Sequence, residues 1–376
     1  MEQFGNFDET DGRDIFELAP VRYVSHGMAG AKYRTINSDR PHVGLMPEER
    51  SVKPDGTLEP FMCRAVYAAS RSEDGKPQSV PGARLWNFTC SHNSMLEAAK
   101  KKGKSYSGYT AADYDYLYEM YLLKYANKSS QTVFAGCTGH TEQTPVTVAG
   151  TAVPTVTVAK TVADKWPIGS AVMVGTTTDK SRDRNNADAH DIASQANIIK
   201  KTVDGDNVVT LDVGDITTEV GQIVSTAPWN PGATMKVVGD GSPYDNKSSR
   251  EPFKLQGIEV MVGAYEILGD TLVKGNGDGT FGYNIVEDTA KAATSVTSDY
   301  THVYDFEQIA SPADRYPSVM VKARGLLVPR GFGGSSGAGV GDSVYYLCEK
   351  NTNSYEVLVF GYLWNGGIAG LRRAGL

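Results

Sequence analysis

From Thr144 to Thr178 the chain reads "TPVTVAGTAVPTVTVAKTVADKWPIGSAVMVGTTT", threonine alternating with valine and broken by glycine and proline. Side chains of a strand point to opposite faces at every second residue, and β-branched residues suit that pleated surface. Turn formers at short intervals then favour several short strands over one helix. "NVVTLDV" and "GQIVSTAPW" resume the pattern downstream. The polar stretch between, "DRNNADAHDIASQANIIKK", reads as a loop and a short helical turn. Residues 142–228 are therefore expected to form a small all-β module, a barrel or compact sandwich without helix.

The flanks follow other rules. At 376 residues the chain exceeds one ordinary core, and two or three domains are expected. Before the module, "IFELAPVRYV" alternates as a strand does, and "SDRPHVGLMPEERSVKPDGTLEPF" has the proline and charge of a surface loop. "SMLEAAKKKG" reads as a short helix, with Ser94 and Glu97 as a capping box and Gly103 as its stop. "YTAADYDYLYEMYLLKYANKSSQ" gives the clearest helix, capped by Thr110 with Asp113. Tyr114, Leu117, Tyr118, Tyr121, Leu122 and Tyr125 fall on one face, which we read as core rather than as a binding ladder. After Trp229, turn signals separate two apolar strands, "GIEVMVGAYEIL" and "VYDF". "SVYYLCE" and "YEVLVFGYLW" are expected to pair across "KNTNS".

Composition narrows the function. Forty glycines and 20 tyrosines suit loop-rich β structure and adaptable binding surfaces. The formal net charge is −7, and the densest basic run, Lys100 to Lys104, sits at a helix C-terminus, so nucleic acid is not an expected partner. The four cysteines, Cys63, Cys90, Cys137 and Cys348, form no CxxC pair and are expected to be buried and reduced. The acidic start lacks the marks of a signal peptide, and no apolar run is long enough to cross a bilayer.

Catalytic and metal motifs fare poorly. "GGSSG" spells G-x-S-x-G around Ser335, but loop and strand signals follow instead of a helix, and no histidine comes after it. "NGDGT" (Asn276 to Thr280) and "DGDN" (Asp204 to Asn207) resemble pieces of calcium loops, yet lack the closing glutamate and are also good hairpin turns. The six histidines show no metal-ligand spacing. No catalytic residue, metal site or cofactor is assigned, and the chain is not expected to be an enzyme.

The ending is apolar, aromatic and punctuated by glycine. "GIEVMVGAYEI", "RGLLVPRGFGGSSG" and "VLVFGYLWNGGIAGL" resemble the C-terminal half of the C-type-lectin-like domains of bacteriophage structural and tail proteins, which are related to the formylglycine-generating-enzyme fold. Gly361, Trp364, Gly366, Ala369 and Gly370 stand in that family's late "GG-x-W-x-x-G-x-x-AG" stretch, with one glycine at its first position instead of two. The helix ending "YLLKYANKSSQ" is similar to another segment of these proteins at Tyr125, Ser130 and Gln131, with Lys124 where glutamate is common. The lectin calcium signatures are replaced by "EPF" and "WNG".

The resemblance covers roughly 80–140 and 229–376. It implies an α+β lectin-like domain with two helices and short antiparallel sheets. That domain would run over 1–141 and 229–376, with an acidic N-terminal arm, and be interrupted by the all-β module at 142–228. It further implies that both chain ends meet in one sheet, with Trp364 in the core. The implied role is a virion protein made in the host cytoplasm, a tail or capsid appendage contacting a host-surface carbohydrate or protein. Tyr345, Asn351, Asn353, Tyr355 and Asn365, in or beside the late loops, are the expected contact residues. Implied partners are other virion proteins and further copies of the chain, a trimer in this family, with no insertion into membrane. The alternative is a purely structural assembly or decoration protein that binds no receptor.

Overall fold

The structure, a computed structural model, describes residues 11–29, 32–88, 91–127, 142–204, 206–243, 251–260, 266–278 and 280–307, a few single positions besides, and beyond 307 chiefly the backbone of paired strands as far as Gly375. Helices are few and the strands mostly antiparallel, which makes this a mixed α+β chain.

The run read as one strand near the start is two, β1 (Phe16–Ala19) and β2 (Tyr23–Ala29). Pro20, which has no N–H to give a ladder, separates them. β2 pairs with β3 (Lys32–Ser38) and β4 (Met46–Pro47), while β1 pairs with β5 (Met62–Ala65). The proline-rich stretch after β3 is largely exposed, as a surface loop should be. It nevertheless contains β4, a 3-10 turn over Glu49–Ser51, and the buried polar residues Glu48 and Ser51.

Helix α1 (His92–Lys100) begins three residues earlier than the capping-box reading placed it, because Ser91, not Ser94, is the cap and accepts from Ser94 N. Helix α2 (Ala111–Tyr125) is as read. Thr110 Oγ1 accepts from Asp113 N, and the Asp113 carboxylate accepts from Thr110 N. Tyr114, Leu117, Tyr118 and Tyr121 are buried, so the tyrosine stripe is core. It packs on Trp229 and on the hairpin formed by β12 (Phe253–Leu255) and β13 (Ile258–Val260), all of which follow the Thr/Val segment.

That segment builds its own sheet from β6 (Gln143–Pro145), β7 (Thr155–Val158), β8 (Ala171–Val174), β9 (Ala193–Asp204), β10 (Asp206–Leu211) and β11 (Ile223–Ala227). The strand order is β7-β10-β9-β8-β11-β6, antiparallel throughout. Its core holds Val156, Val158, Trp166, Val172, Ile198, Leu211 and Val224, all buried. The alternation Thr155–Val158 has the burial pattern a half-buried strand requires, whereas Ala171–Val174 is buried on both faces. One turn of helix, Lys160–Ala163, interrupts what was expected to be helix-free. The first and last strands lie side by side, Gln143 opposite Ser225, so the chain enters and leaves this segment at one place. Arg84 ties the segment to its flank, bonding Gln195 O at 2.7 Å and the Asp212 carboxylate at 2.9 Å. Asn230 adds bonds to Gln195 O and Asn197 Oδ1.

Past the hairpin, "GIEVMVGAYEIL" also divides, giving β13 and then β14 (Glu266–Ile267). β15 (Thr271–Gly275), β16 (Thr280–Ile285) and β17 (Thr301–Glu307) form consecutive antiparallel neighbours, and Asn276 N donates to Thr280 O between the first two. Among the described residues, the two runs expected to pair across "KNTNS" are not paired with each other. Val344–Tyr346 belongs to a five-stranded sheet with β14, Val359–Phe360, Ala374–Gly375 and Ala313–Arg315, whereas Tyr355–Glu356 joins β15 in another sheet. Nor do the chain ends share a sheet among the described residues, since β1 pairs with β5 alone. The last strand does lie between two neighbours, Val359–Phe360 and Val344–Tyr346. Trp364 lies outside the described residues.

Deleting everything after Val357 removes two of the five strands of that sheet. The shortened chain is expected to be insoluble or to lose its cooperative melt, as sedimentation and calorimetry would show.

Candidate functional site

α2 buries charge as well as tyrosine. Asp113, Asp115 and Glu119 point away from the tyrosine stripe, and each is at most 2% exposed. Buried carboxylates need partners, because loss of hydration costs several kcal/mol per ion in a protein interior. Three arginines from outside the helix supply them. Arg22, just before β2, gives Nε to Glu48 at 3.1 Å, one Nη1 bond to Asn37 Oδ1 at 2.8 Å, and a short bond to Glu119. Arg64 on β5 reaches Glu48 at 3.4 Å and Asp113 at 3.1 Å. Its guanidinium also lies 3.8 Å from the centroid of the Tyr116 ring, where a cation meets the negative face of an aromatic. Arg50, from the 3-10 turn, bonds Asp113 and, at 3.2 Å, Thr110 Oγ1.

These pairings decide the charge states. Burial drives the Asp113 carboxyl up, but Arg50 and Arg64 together outweigh it and hold it below the usual range. Burial opposes the charge of Arg22 too, yet Glu48, Glu119 and Asp115 raise its pKa further. Asp113 thus both caps the helix and receives two arginines. His26 on β2 closes the group, with Nδ1 3.4 Å from Glu119 Oε1, and Thr35 Oγ1 donates to the same oxygen at 3.5 Å.

Above this cluster lies a cleft of about 310 Å³. Val24, Ser25 and His26 of β2 and Met46 of β4 form one wall, and Ala112 and Asp115 of α2 form the other. Arg22 and Glu48 lie at its base, and Glu49 adds a third carboxylate. Acids outnumber bases, so the cleft suits cations and hydrogen-bond donors better than anions.

A second contact holds α2 at its start. Asp270, in the turn between β14 and β15, accepts twice from Ala111 N, at 3.0 and 3.2 Å, and once from Thr271 Oγ1 at 2.9 Å. A carboxylate suits a helix N-terminus, where free N–H groups and the helix dipole favour negative charge. Burial nonetheless pushes the Asp270 carboxyl up to about 7, and neighbouring Asp113 adds to this, against the pull of the Ala111 and Thr271 bonds and of Arg50. The approach is close. Gly269 donates its N–H to Tyr109 O at 2.9 Å, and a Cβ at Gly269 would stand 1.8 Å from Ser107 O.

None of this cluster was foreseen as a site. Of the expected contact residues, Asn351, Asn353 and Asn365 lie outside the described residues. The backbones of Tyr345 and Tyr355 are in strands of two different sheets, Tyr345 opposite Asp314 and Gly375, Tyr355 opposite Lys274. Of the "GGSSG" motif only Gly333 and Ser335 are described, both exposed. Cys63, read as buried, is an exposed free thiol on the outward face of β5, because Met62 and Arg64 take the inward positions. No helix among the described residues is long and apolar enough to cross a membrane, and no three of their acids, histidines or cysteines are grouped to hold a metal. No protein-family model matches the chain, and no curated protein is significantly similar to it.

Two outcomes test the Asp270 contact. Because its pKa is raised on folding, the native state holds that proton more tightly than the unfolded chain. Its contribution to stability is therefore full below the ordinary carboxylate value of 3.8 and is lost as pH climbs to about 7. Asp270→Asn, which keeps an acceptor for Ala111 N, should flatten this slope. Denaturant melts at pH 5 and pH 8 should show the wild type losing more stability than the variant between the two. Gly269→Ala should cost about 2 kcal/mol or more, since backbone must shift to admit the methyl, and the same melts would measure it.

Proposed function

We propose that the chain is a structural protein of a bacteriophage particle, a tail or capsid appendage of lectin-like fold interrupted at 142–228, that touches a host-surface carbohydrate or protein through its late loops. The pairing on either side of "KNTNS" supports this reading. The strands carrying Tyr345 and Tyr355 belong to separate sheets and flank that run on both sides. Amides there offer paired donors and acceptors, and tyrosine offers an aromatic face for a sugar ring or apolar receptor surface.

A different observation favours the purely structural alternative. The β1–β5 ribbon turns Phe16, Leu18, Phe61 and Cys63 outward, with Leu18 directly opposite Cys63 and 57% exposed. Clustered exposed apolar groups mark contact surfaces more often than solvent faces. Such a surface suits another virion protein or a second copy in a cyclic homo-oligomer.

Purified, fluorescently labelled chain should adsorb to at least one strain in a panel of bacteria, and the combined change Asn351→Ala, Asn353→Ala, Tyr355→Ala should cut that adsorption about tenfold while the melting curve stays put. A chain that adsorbs to no strain but forms rings or decorates emptied particles would establish the structural alternative instead.

A further inference from the structure

We propose that residues 23–47, the unit β2–β3–β4, are a hinged arm latched onto α2 through Glu119, and that this arm opens as one body while the rest of the chain stays folded. The inference does not rest on the virion reading. Within 23–27 and 34–47, where side chains are described, no apolar one is buried. Ile36, Val43 and Met46 are 48%, 106% and 70% exposed. An element without a buried apolar face is not docked by the hydrophobic effect, and such elements open at low cost. What docks this one is polar.

Glu119 is the shared receiver. From the arm and its base it takes Arg22, His26 and Thr35. The base itself is narrow. Glu48 N donates to Arg22 O at 2.7 Å, and the same two residues form an ion pair, so both ends of the arm leave the body side by side. This geometry lets the strands swing about Arg22 and Glu48 without breaking β2–β3 pairing, which is internal to the arm. The cleft of about 310 Å³ is the seam, with arm residues on one wall and α2 on the other, so the two surfaces are not close-packed along their length.

Energetics favour local over global opening. Swinging out returns His26 and Glu119 to water and recovers hydration that burial withholds, while little described apolar contact is lost. The groups facing the latch are Arg64 and Tyr116 beneath it and Glu48 and Asp115 beside it. Opening keeps Arg22 and Arg64 on Glu48 and uncovers the acidic face of α2 at Asp115 and Glu119. The arm is thus an internal competitor for any cationic surface that would bind there.

Hydrogen exchange of the full chain, read by mass spectrometry, tests this. Once swung out, the arm is an isolated ribbon whose ladder is only marginally stable and frays, so amides of β2 and β3 should exchange ahead of those in α2 and in β9–β10. Glu119→Gln should speed arm exchange at least tenfold and leave α2 and β9–β10 within about twofold. Trypsin should then cut at Arg34 and Arg40 correspondingly faster. Should Glu119→Gln fail to fold, Thr35→Val removes one contact and should speed arm exchange by roughly two- to tenfold, the range for a single hydrogen bond. Arm amides as protected as α2 in wild type and variant, or a variant that loosens all three regions equally, would overturn the proposal.

Discussion

The organising constraint is that α2 has no free side from Ala111 to Glu119, where every residue is buried. One face buries tyrosines against strands that follow the Thr/Val segment, and the other buries Asp113, Asp115 and Glu119. The apolar face can be satisfied by any well-shaped surface. The acidic face cannot, because each carboxylate requires a cation in a particular place. Arg22, Arg50 and Arg64 come from three separate parts of the N-terminal region, so that region acquires its arrangement by surrendering its arginines to one helix. Such a cluster adds little net stability compared with an apolar core of the same volume, but misplacing one member is costly, and that asymmetry selects a single arrangement.

The segment at 143–227 obeys a different economy. Its sheet is closed by valine, isoleucine, leucine and tryptophan and depends on no outside cation for its core. Its attachment to the flanks is mainly polar and directional: Arg84 to Gln195 and Asp212, Asn230 to Gln195 and Asn197. A small apolar patch, Phe88 against Ala171, Met173 and Ala227, backs these bonds. On the re-entry side, buried Glu259 takes Gly232 N and Thr234 N, which fixes the chain as it returns to α2.

Features whose cause is local were legible in the sequence. The box at Thr110 and Asp113 and the stripe from Tyr114 to Tyr121 lie within a few turns of helix, and strand alternation at 155–158 lies within four residues. The ionic cluster was hidden because its partners are 26 and 97 residues apart, and "PEERS" looks like any charged loop until Glu48 and Arg50 find their mates. Three acids at positions 113, 115 and 119 of an otherwise tyrosine-rich helix were the available hint, since between them and the tyrosines they leave no face for water over that part of the helix. The late strands failed for a related reason. Two short apolar runs flanking a polar turn spell a hairpin locally, but each found a longer-range partner.

The adjacency of Gln143 and Ser225 has a consequence for how this chain could have come about. A unit whose two ends emerge from neighbouring strands can be gained, lost or exchanged as a cassette with little strain on the backbone it interrupts, since the gap left behind is only one inter-strand spacing wide. Recombination at that doorway would alter the outer silhouette of the protein while leaving the tyrosine-and-arginine machinery around α2 untouched.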